Sequence, residues 1–390
     1  MTQQRKPRWP VVLIVMGIAG VLGAEWAVRL SPSLWSSLAI AGMGFPLTWT
    51  VLAIGIVSSL LFRRWRAFRW GLLFMVLSAP HAAQTWGWTV YPENIGGESP
   101  TWSFSPGASS VFQKGGNGLD DEMECRVLSW NVRQFDRLGW LNNTNAREEM
   151  LSLLGAVEPD VVCIQECFLE ENADPWMTQQ RLQRASGLAH WAQEFRLGRG
   201  HDKLFGLAVL SRFPIVAVKA IDFPNDKNNS AMYADLLIGK DTVRAFNVHL
   251  SSIHFEQEDY QAMRQGPDET ERLRLLDRLE TAWKKRALQA ELVAEYVANS
   301  PYAVVLMGDF NDGPVSYAKQ QFQPYLQDAY NGNGPLLGAT YAGDIPGMRI
   351  DFILHSPVLE TVEFETSDVM LSDHRPIQAL FKWRSGIQSE

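Results

Sequence analysis

Ala303-Val304-Val305-Leu306-Met307-Gly308-Asp309-Phe310-Asn311-Asp312 begins as an uninterrupted apolar run and ends in a polar cluster. A run of that length suits a strand buried inside a sheet. The glycine lets the backbone turn where the run stops. Asp309 and Asn311, two residues apart, can then face one pocket. Plain turns use the same residue types, so the weight of the segment depends on its company.

Several other segments repeat the design. Pro159-Asp160-Val161-Val162-Cys163-Ile164-Gln165-Glu166 is an apolar strand that ends by aiming a carboxylate at its C-terminal edge, where α/β sheets place their sites. Ser129-Trp130-Asn131-Val132-Arg133 ends the first strand with an amide and a guanidinium. Asn247-Val248-His249-Leu250 ends another with an imidazole that titrates near neutrality. Arg349-Ile350-Asp351-Phe352-Ile353-Leu354 carries one carboxylate inside an apolar strand, and a buried charge of that kind needs a partner. Arg349 is one candidate. His374, in Ser372-Asp373-His374-Arg375-Pro376, is a better one, and Asp373 beside it is a candidate metal ligand.

Strand and helix signals alternate from Arg126 onward. Strands are expected at Arg126–Val132, Val161–Gln165, Phe205–Leu210, Ala231–Ile238, Val243–His249, Tyr302–Met307, Ile350–Leu354 and Ile377–Phe381. Helices are expected at Thr144–Val157 and Asp268–Ala298, the second with Asp268 as N-cap. The class is α/β, with helix-covered sheets. Scattered hard oxygen donors suit a divalent cation such as Mg²⁺.

These motifs, in this order, resemble the endonuclease/exonuclease/phosphatase superfamily over about 125–384. The resemblance implies a four-layer α/β sandwich with two packed mixed sheets. It also implies a metal-dependent phosphoester hydrolase. Glu166 and Asn131 would sit at a Mg²⁺ or Mn²⁺ site with Asp373 nearby. Asp309 would position the attacking water. Asn311 and Arg133 would contact the substrate phosphate. Asp351 would orient His374, which would contact the scissile phosphate or assist proton transfer. His249 and Asn131-x-Arg133 resemble the deoxyribonuclease-like branch, whereas abasic-site enzymes carry Asp where Arg133 stands.

The N-terminal part is of another kind. Three charge-free stretches predict transmembrane helices at roughly 10–29, 38–62 and 69–86. Arg5, Lys6 and Arg8 precede the first, and Arg63, Arg64, Arg66 and Arg69 lie between the second and third. By the positive-inside rule the N-terminus is cytoplasmic and everything after the third helix is extracytoplasmic, in the periplasm or at the cell surface. Glu25 and Arg29 read as an interfacial i,i+4 pair. The expected organisation is a membrane region over 1–91, a Gly/Ser/Pro-rich linker over 92–124 and a catalytic domain over 125–390.

Charge divides along the same line. The 390-residue chain has a net charge of −8. Residues 1–124 carry nine Lys/Arg and seven Asp/Glu, and the rest carry 26 and 36, a net of −10. Such an acidic domain is a poor nonspecific binder of nucleic acid. Cys125, Cys163 and Cys167 form no metal-binding spacing and no disulfide framework, which leaves a single bridge from Cys125 to Cys163 or Cys167 open.

The leading expectation is therefore a bilayer-anchored phosphodiesterase or phosphatase whose substrates include lipid headgroup phosphates. An extracytoplasmic deoxyribonuclease-like endonuclease is the second reading. A catalytically inactive interaction module is the third, and its mark would be missing ligands. No protein partner is evident.

Overall fold

The computed structural model describes residues 7–87, 124–170, 178–197, 203–224, 226, 228–253, 255–331, 338–343 and 347–383. The linker expected over 92–124 lies outside them, save Glu124. The chain forms two compact units.

The first unit contains residues up to Trp86 together with Ser252–Glu291 and Asp312–Phe322. Its N-terminal helices are α1 (Trp9–Ala27), α2 (Pro32–Trp35), α3 (Ala39–Met43), α4 (Phe45–Leu61), α5 (Trp65–Leu77) and α6 (Ala79–Thr85). Ile14, Val21 and Ala24 of α1 pack with Phe45, Leu52 and Ile56 of α4, Ala82 of α6 and Val315. The helices approach closely because Gly17 has no side chain: a Cβ there would overlap Leu52.

Three spans are not seen. Among the described residues α1 alone is long and apolar enough to cross a membrane, at 19 residues or about 28 Å. The stretch expected as a single helix over 38–62 is bent by 51° where α3 meets α4. The break falls at Gly44, and Pro46 stands in the first turn of the helix that follows. Counting that bent pair as one span would bring the total to two. The stretch expected over 69–86 is split into α5 and α6. Pro80 has no N–H to continue the ladder, and the Ser78 hydroxyl donates to the carbonyls of Phe74 at 2.8 Å or Met75 at 3.2 Å.

The second unit holds two six-stranded sheets. The strands are β1 (Glu124–Asn131), β2 (Val161–Glu170), β3 (His190–Leu197), β4 (Lys203–Ser211), β5 (Ile215–Asp222), β6 (Ser230–Ile238), β7 (Asp241–His249), β8 (Ala303–Asp309), β9 (Gln327–Asp328), β10 (Asp351–His355), β11 (Leu359–Thr366) and β12 (Ile377–Trp383). Their orders are β11-β12-β1-β2-β4-β3 and β5-β6-β7-β8-β10-β9. Each sheet is mixed: β1 and β2 run parallel, as do β7 and β8, and the flanking pairs are antiparallel.

Parallel neighbours need a crossover. The first is α7 (Ala146–Val157). The second runs through α9 (Gln257–Gln265) and α10 (Glu269–Ala298). Asp268 caps α10 as expected: its Oδ1 accepts the Glu271 N–H at 2.8 Å, and the Glu271 carboxylate accepts the Asp268 N–H at 2.9 Å. Two short helices, α8 (Gln179–Ser186) and α11 (Tyr317–Gln320), complete the set described.

The sheets pack face to face. Val127, Cys163, Val209 and Phe381 of the first meet Met232, Ala245, Met307 and Ile353 of the second. Alternate residues of the first sheet, Leu128, Trp130, Ile164 and Leu210, pack outward on Met150 and Leu154 of α7 and Leu182 of α8. The three cysteines are buried free thiols, with no bridge between them.

Candidate active site

The C-terminal ends of the parallel strands bring the site together in the second unit. β1 ends at Asn131, β7 at His249 and β8 at Asp309, while β2 reaches the same edge at Glu166. Sheet register places His249, Asp309 and Asp351 side by side across β7, β8 and β10. The loop before β12 brings Asp373 and His374. It is fastened to β1 twice: Ser372 Oγ donates to the Asn131 carbonyl at 2.8 Å, and Trp130 Nε1 donates to the His374 carbonyl at 3.0 Å.

Local backbone explains how the carboxylates are aimed. The pairing of β2 with β4 shifts register between Ile164 and Cys167, and Glu166 adopts φ +51° inside that bulge. Glu166 thereby leaves the strand's alternation and turns to the edge. Gly308 has φ +145°, and a Cβ there would strike the Val248 carbonyl, so only glycine lets β8 lie this close to β7. Asn311 also has positive φ, and its N–H donates to Asp309 Oδ1 at 2.8 Å.

Asp309 is the hub. It is 1% exposed. Its Oδ2 accepts from Asn131 Nδ2 at 3.0 Å and from Asn311 Nδ2 at 3.2 Å. His249 Nε2 and His374 Nε2 each lie 3.6 Å from the same oxygen. Asn311 Nδ2 also holds the Leu250 carbonyl at 3.0 Å. Burial raises the Asp309 pKa above the ordinary carboxylate range, against the pull of His374.

Asp351 finds its partner in His374, whose Nδ1 lies 3.0 and 3.2 Å from the two carboxylate oxygens. Thr340 Oγ1 accepts the Asp351 N–H at 3.1 Å, and the Tyr341 ring packs edge-on to the imidazole, 5.2 Å between centroids. The adjacent Arg349 is engaged elsewhere, with Asp328 at 3.1 Å. Burial alone would lower the His374 pKa, but Asp351 and Asp309 more than reverse this and hold it at about 10. Asp351 and Asp309 thereby favour the protonated form of His374, with Nδ1 turned to Asp351.

Glu166 and Asp373 occupy the more open side. The Glu166 side chain is 24% exposed. Its Oε1 accepts from Asn131 Nδ2 at 3.3 Å and lies 4.0 Å from His249 Nε2. Burial and then the Asp373 charge push the Glu166 pKa to about 7. Asp373 is paired with Arg133, 3.2 Å from its Nη1.

Two sets of donors could hold a cation. Asp309, Asp351 and His374 offer ligand atoms within 4.8 Å of one another, and there His374 Nδ1 lies against Asp351. Glu166 and Asp373 offer two further carboxylates on the more exposed side, hard oxygen donors of the kind a divalent ion takes; buried Asn131 beside them turns Nδ2 to Glu166 and Asp309, while its Oδ1 accepts the Arg133 N–H.

The supporting polar residues had no role in the sequence reading. Gln165 Nε2 donates to Asn247 Oδ1 at 2.7 Å, and Asn247 Nδ2 lies within 3.0 Å of the carbonyls of Ile164 and Ala208. This amide pair joins the two sheets directly beneath the site. The sequence signal was slight, two amides at the polar ends of otherwise apolar strands. Thr340 and Tyr341 carried none.

The family model described as Endonuclease/Exonuclease/phosphatase family matches residues 128–374. No curated protein matches the chain. Among solved structures, an endonuclease/exonuclease/phosphatase from Beutenbergia cavernae is similar at 20% identity and a TM-score of 0.50, covering 67% of this chain and 72% of that one. A Bacteroides vulgatus protein of the same description is similar at 18% identity and 0.50, covering 67% and 100%. These likenesses concern the fold.

Proposed function

This chain belongs to the endonuclease/exonuclease/phosphatase family, and on that premise we propose a divalent-metal-dependent phosphoester hydrolase, tethered to a membrane by its N-terminal helices. Members of the family are generally metal-dependent phosphoester hydrolases, and the site has the parts such chemistry requires. The observation that carries the reading is the convergence of Asn131, His249 and His374 on Asp309 Oδ2.

Each residue has a role its surroundings suit. Asp309, oriented by two amides, steers a water and accepts its proton. His374, charged and held by Asp351, donates toward a phosphoryl oxygen that gains charge as the water attacks. His249 protonates the leaving oxygen. Arg133 and Asn311 contact the substrate phosphate. The Nδ2 hydrogens of Asn311 are engaged with Leu250 and Asp309, so contact through that group exchanges one of these bonds. Glu166, Asn131 and Asp373 would hold Mg²⁺ or Mn²⁺, which supplies charge neutralisation and polarises the phosphoryl group.

We place the catalytic unit outside the cytoplasm and take lipid headgroup phosphates as substrates. Three features support this: the arginine pattern of the N-terminal region, the −10 net charge of the remainder and the apolar surface of the helices. Val15, Leu47, Val57, Leu61 and Leu77 are among the large apolar side chains facing outward there. A deoxyribonuclease-like endonuclease is the second reading, favoured by His249 with Asn131-x-Arg133. The full chain in detergent micelles with Mg²⁺, offered phospholipid, sphingomyelin, inositol phosphates, plasmid DNA and RNA, separates the two. Cleavage of a lipid headgroup that chelator abolishes is expected. Turnover of nucleic acid alone would establish the second reading, and turnover indifferent to chelator would overturn the metal.

A further inference from the structure

Beyond Asn131 the chain leaves β1 in an unusual way. Arg133, Gln134, Phe135 and Asp136 have φ values of 43°, 57°, 55° and 51°, four successive non-glycine residues in the left-handed region. Such a run is strained and persists only where its surroundings impose it. Here Phe135 is buried in the outer core with Met150 and Leu154. The Phe135 N–H donates to the Val132 carbonyl at 2.8 Å, the Arg133 N–H to Asn131 Oδ1 at 3.0 Å, and the Leu141 N–H to Asp136 Oδ1 at 3.2 Å. The turn folds the chain back, so that Trp140 faces Arg133. The guanidinium carbon sits 4.0 Å from the indole centroid, while Nη1 reaches Asp373. Trp140 itself is 38% exposed.

We propose that Trp140 is a positioning residue that holds the Arg133 guanidinium against Asp373, so that this arginine opposes divalent-cation binding at Glu166 and Asp373. The inference rests on the metal-site reading above. An indole face attracts a guanidinium while leaving its N–H edge free for an anion. Asp373 therefore already has a cationic partner, fixed by an aromatic on one side and by a strained turn on the other. A divalent ion approaching the same carboxylate must share it with that charge or displace it. The guanidinium it displaces remains beside the site, free to meet a substrate phosphate. Cation affinity and phosphate contact are thus coupled through one side chain.

The test is Mn²⁺ binding to the full chain in detergent micelles without substrate, read by the electron paramagnetic resonance of free Mn²⁺. Arg133→Gln is expected to tighten binding about fivefold, the scale of one partly exposed ion pair. Trp140→Ala is expected to tighten it about two- to threefold by releasing the guanidinium, and Trp140→Phe, which keeps an aromatic face, to change it less. Trp140 lies on an exposed loop, and near-ultraviolet circular dichroism checks that each variant keeps its packing. If Arg133→Gln binds Mn²⁺ no more tightly than the parent, the opposition does not exist. If Arg133→Gln tightens binding but Trp140→Ala does not, Trp140 has no positioning role. Glu166→Gln separates the levels: loss of Mn²⁺ affinity there upholds the metal site whatever Trp140 does. Indifference to that change overturns the site and this inference together.

Discussion

The two crossovers, β1-α7-β2 and β7-α9-α10-β8, both join parallel strands, and they end differently. Each places two parallel strand ends at one edge. The first delivers Asn131 and Glu166, the second His249 and Asp309. Glu166 keeps about a quarter of its side chain in solvent, and Asp309 almost none. Two parallel strand pairs therefore present carboxylates of different exposure, and the proposed roles follow that difference. The open one can take a cation from water; the enclosed one can hold a water and a proton. Burial raises both pKa values, but only Asp309 has two imidazoles within 3.6 Å of the same oxygen.

Changes at each pole should break this division unequally. Asp309→Asn removes the group that steers water, and turnover should fall about 10³–10⁴-fold in steady-state assays. A loss under tenfold would move the base elsewhere. His374→Ala and Asp351→Asn should each cost about 10²–10³-fold, with the double variant little worse than His374→Ala, because the two act as a unit. Independent, additive losses would dissolve the dyad.

The open pole should respond to pH. The free carboxylate of Glu166, at about 7, holds its proton more tightly than an ordinary glutamate at 4.5. Protonation competes with the cation, so Mn²⁺ affinity should decline as pH falls below about 7. The cation-free chain gains stability over the same descent, since the folded state binds the proton better than the unfolded chain. Glu166→Gln should flatten the part of the affinity profile that Glu166 governs. A profile unchanged by that substitution would assign the titration to another group.

The smallest direct effect on chemistry is expected from Asn247→Ala, which touches neither pole. It removes the Asn247 amide from the carbonyls of Ile164 and Ala208 and from Gln165, whose Nε2 keeps Ser129 Oγ at 3.2 Å, at a cost of about 2–4 kcal/mol. Urea unfolding measures it.

The pattern of legible strands has a physical reason. The eight strands expected from sequence are β1, β2, β4, β6, β7, β8, β10 and β12, the interior strands of both sheets. The four that were missed, β3, β5, β9 and β11, are the four edges. An interior strand of a packed sheet is enclosed and reads as an apolar run. An edge strand has one neighbour and carries polar or exposed positions: β5 is exposed over most of its length, and β11 alternates Glu and Thr with apolar residues. At the site, Asn131, Glu166, His249 and Asp309 stand in sequence at the polar ends of apolar runs, Asp351 within one, and Asp373 and His374 just before the last. Partnership was harder to read. Arg349 pairs with Asp328 rather than with neighbouring Asp351, a tertiary contact that no local pattern contains. The expectation of three unbroken spans was not met among the described residues for a related reason: hydropathy counts residues, whereas Gly44, Pro46 and Pro80 interrupt the backbone that has to carry them.

The Gln165–Asn247 amide bridge has a consequence for how the molecule tolerates change. A purely greasy interface between two twisted sheets would let one slide over the other by a residue at modest loss. With this polar rivet, such a slip would leave several donors and acceptors stranded among methyl groups. Sequence drift in the surrounding interior is thereby permitted, because the alignment of the four parallel strand tips does not depend on the shapes of the packing side chains alone.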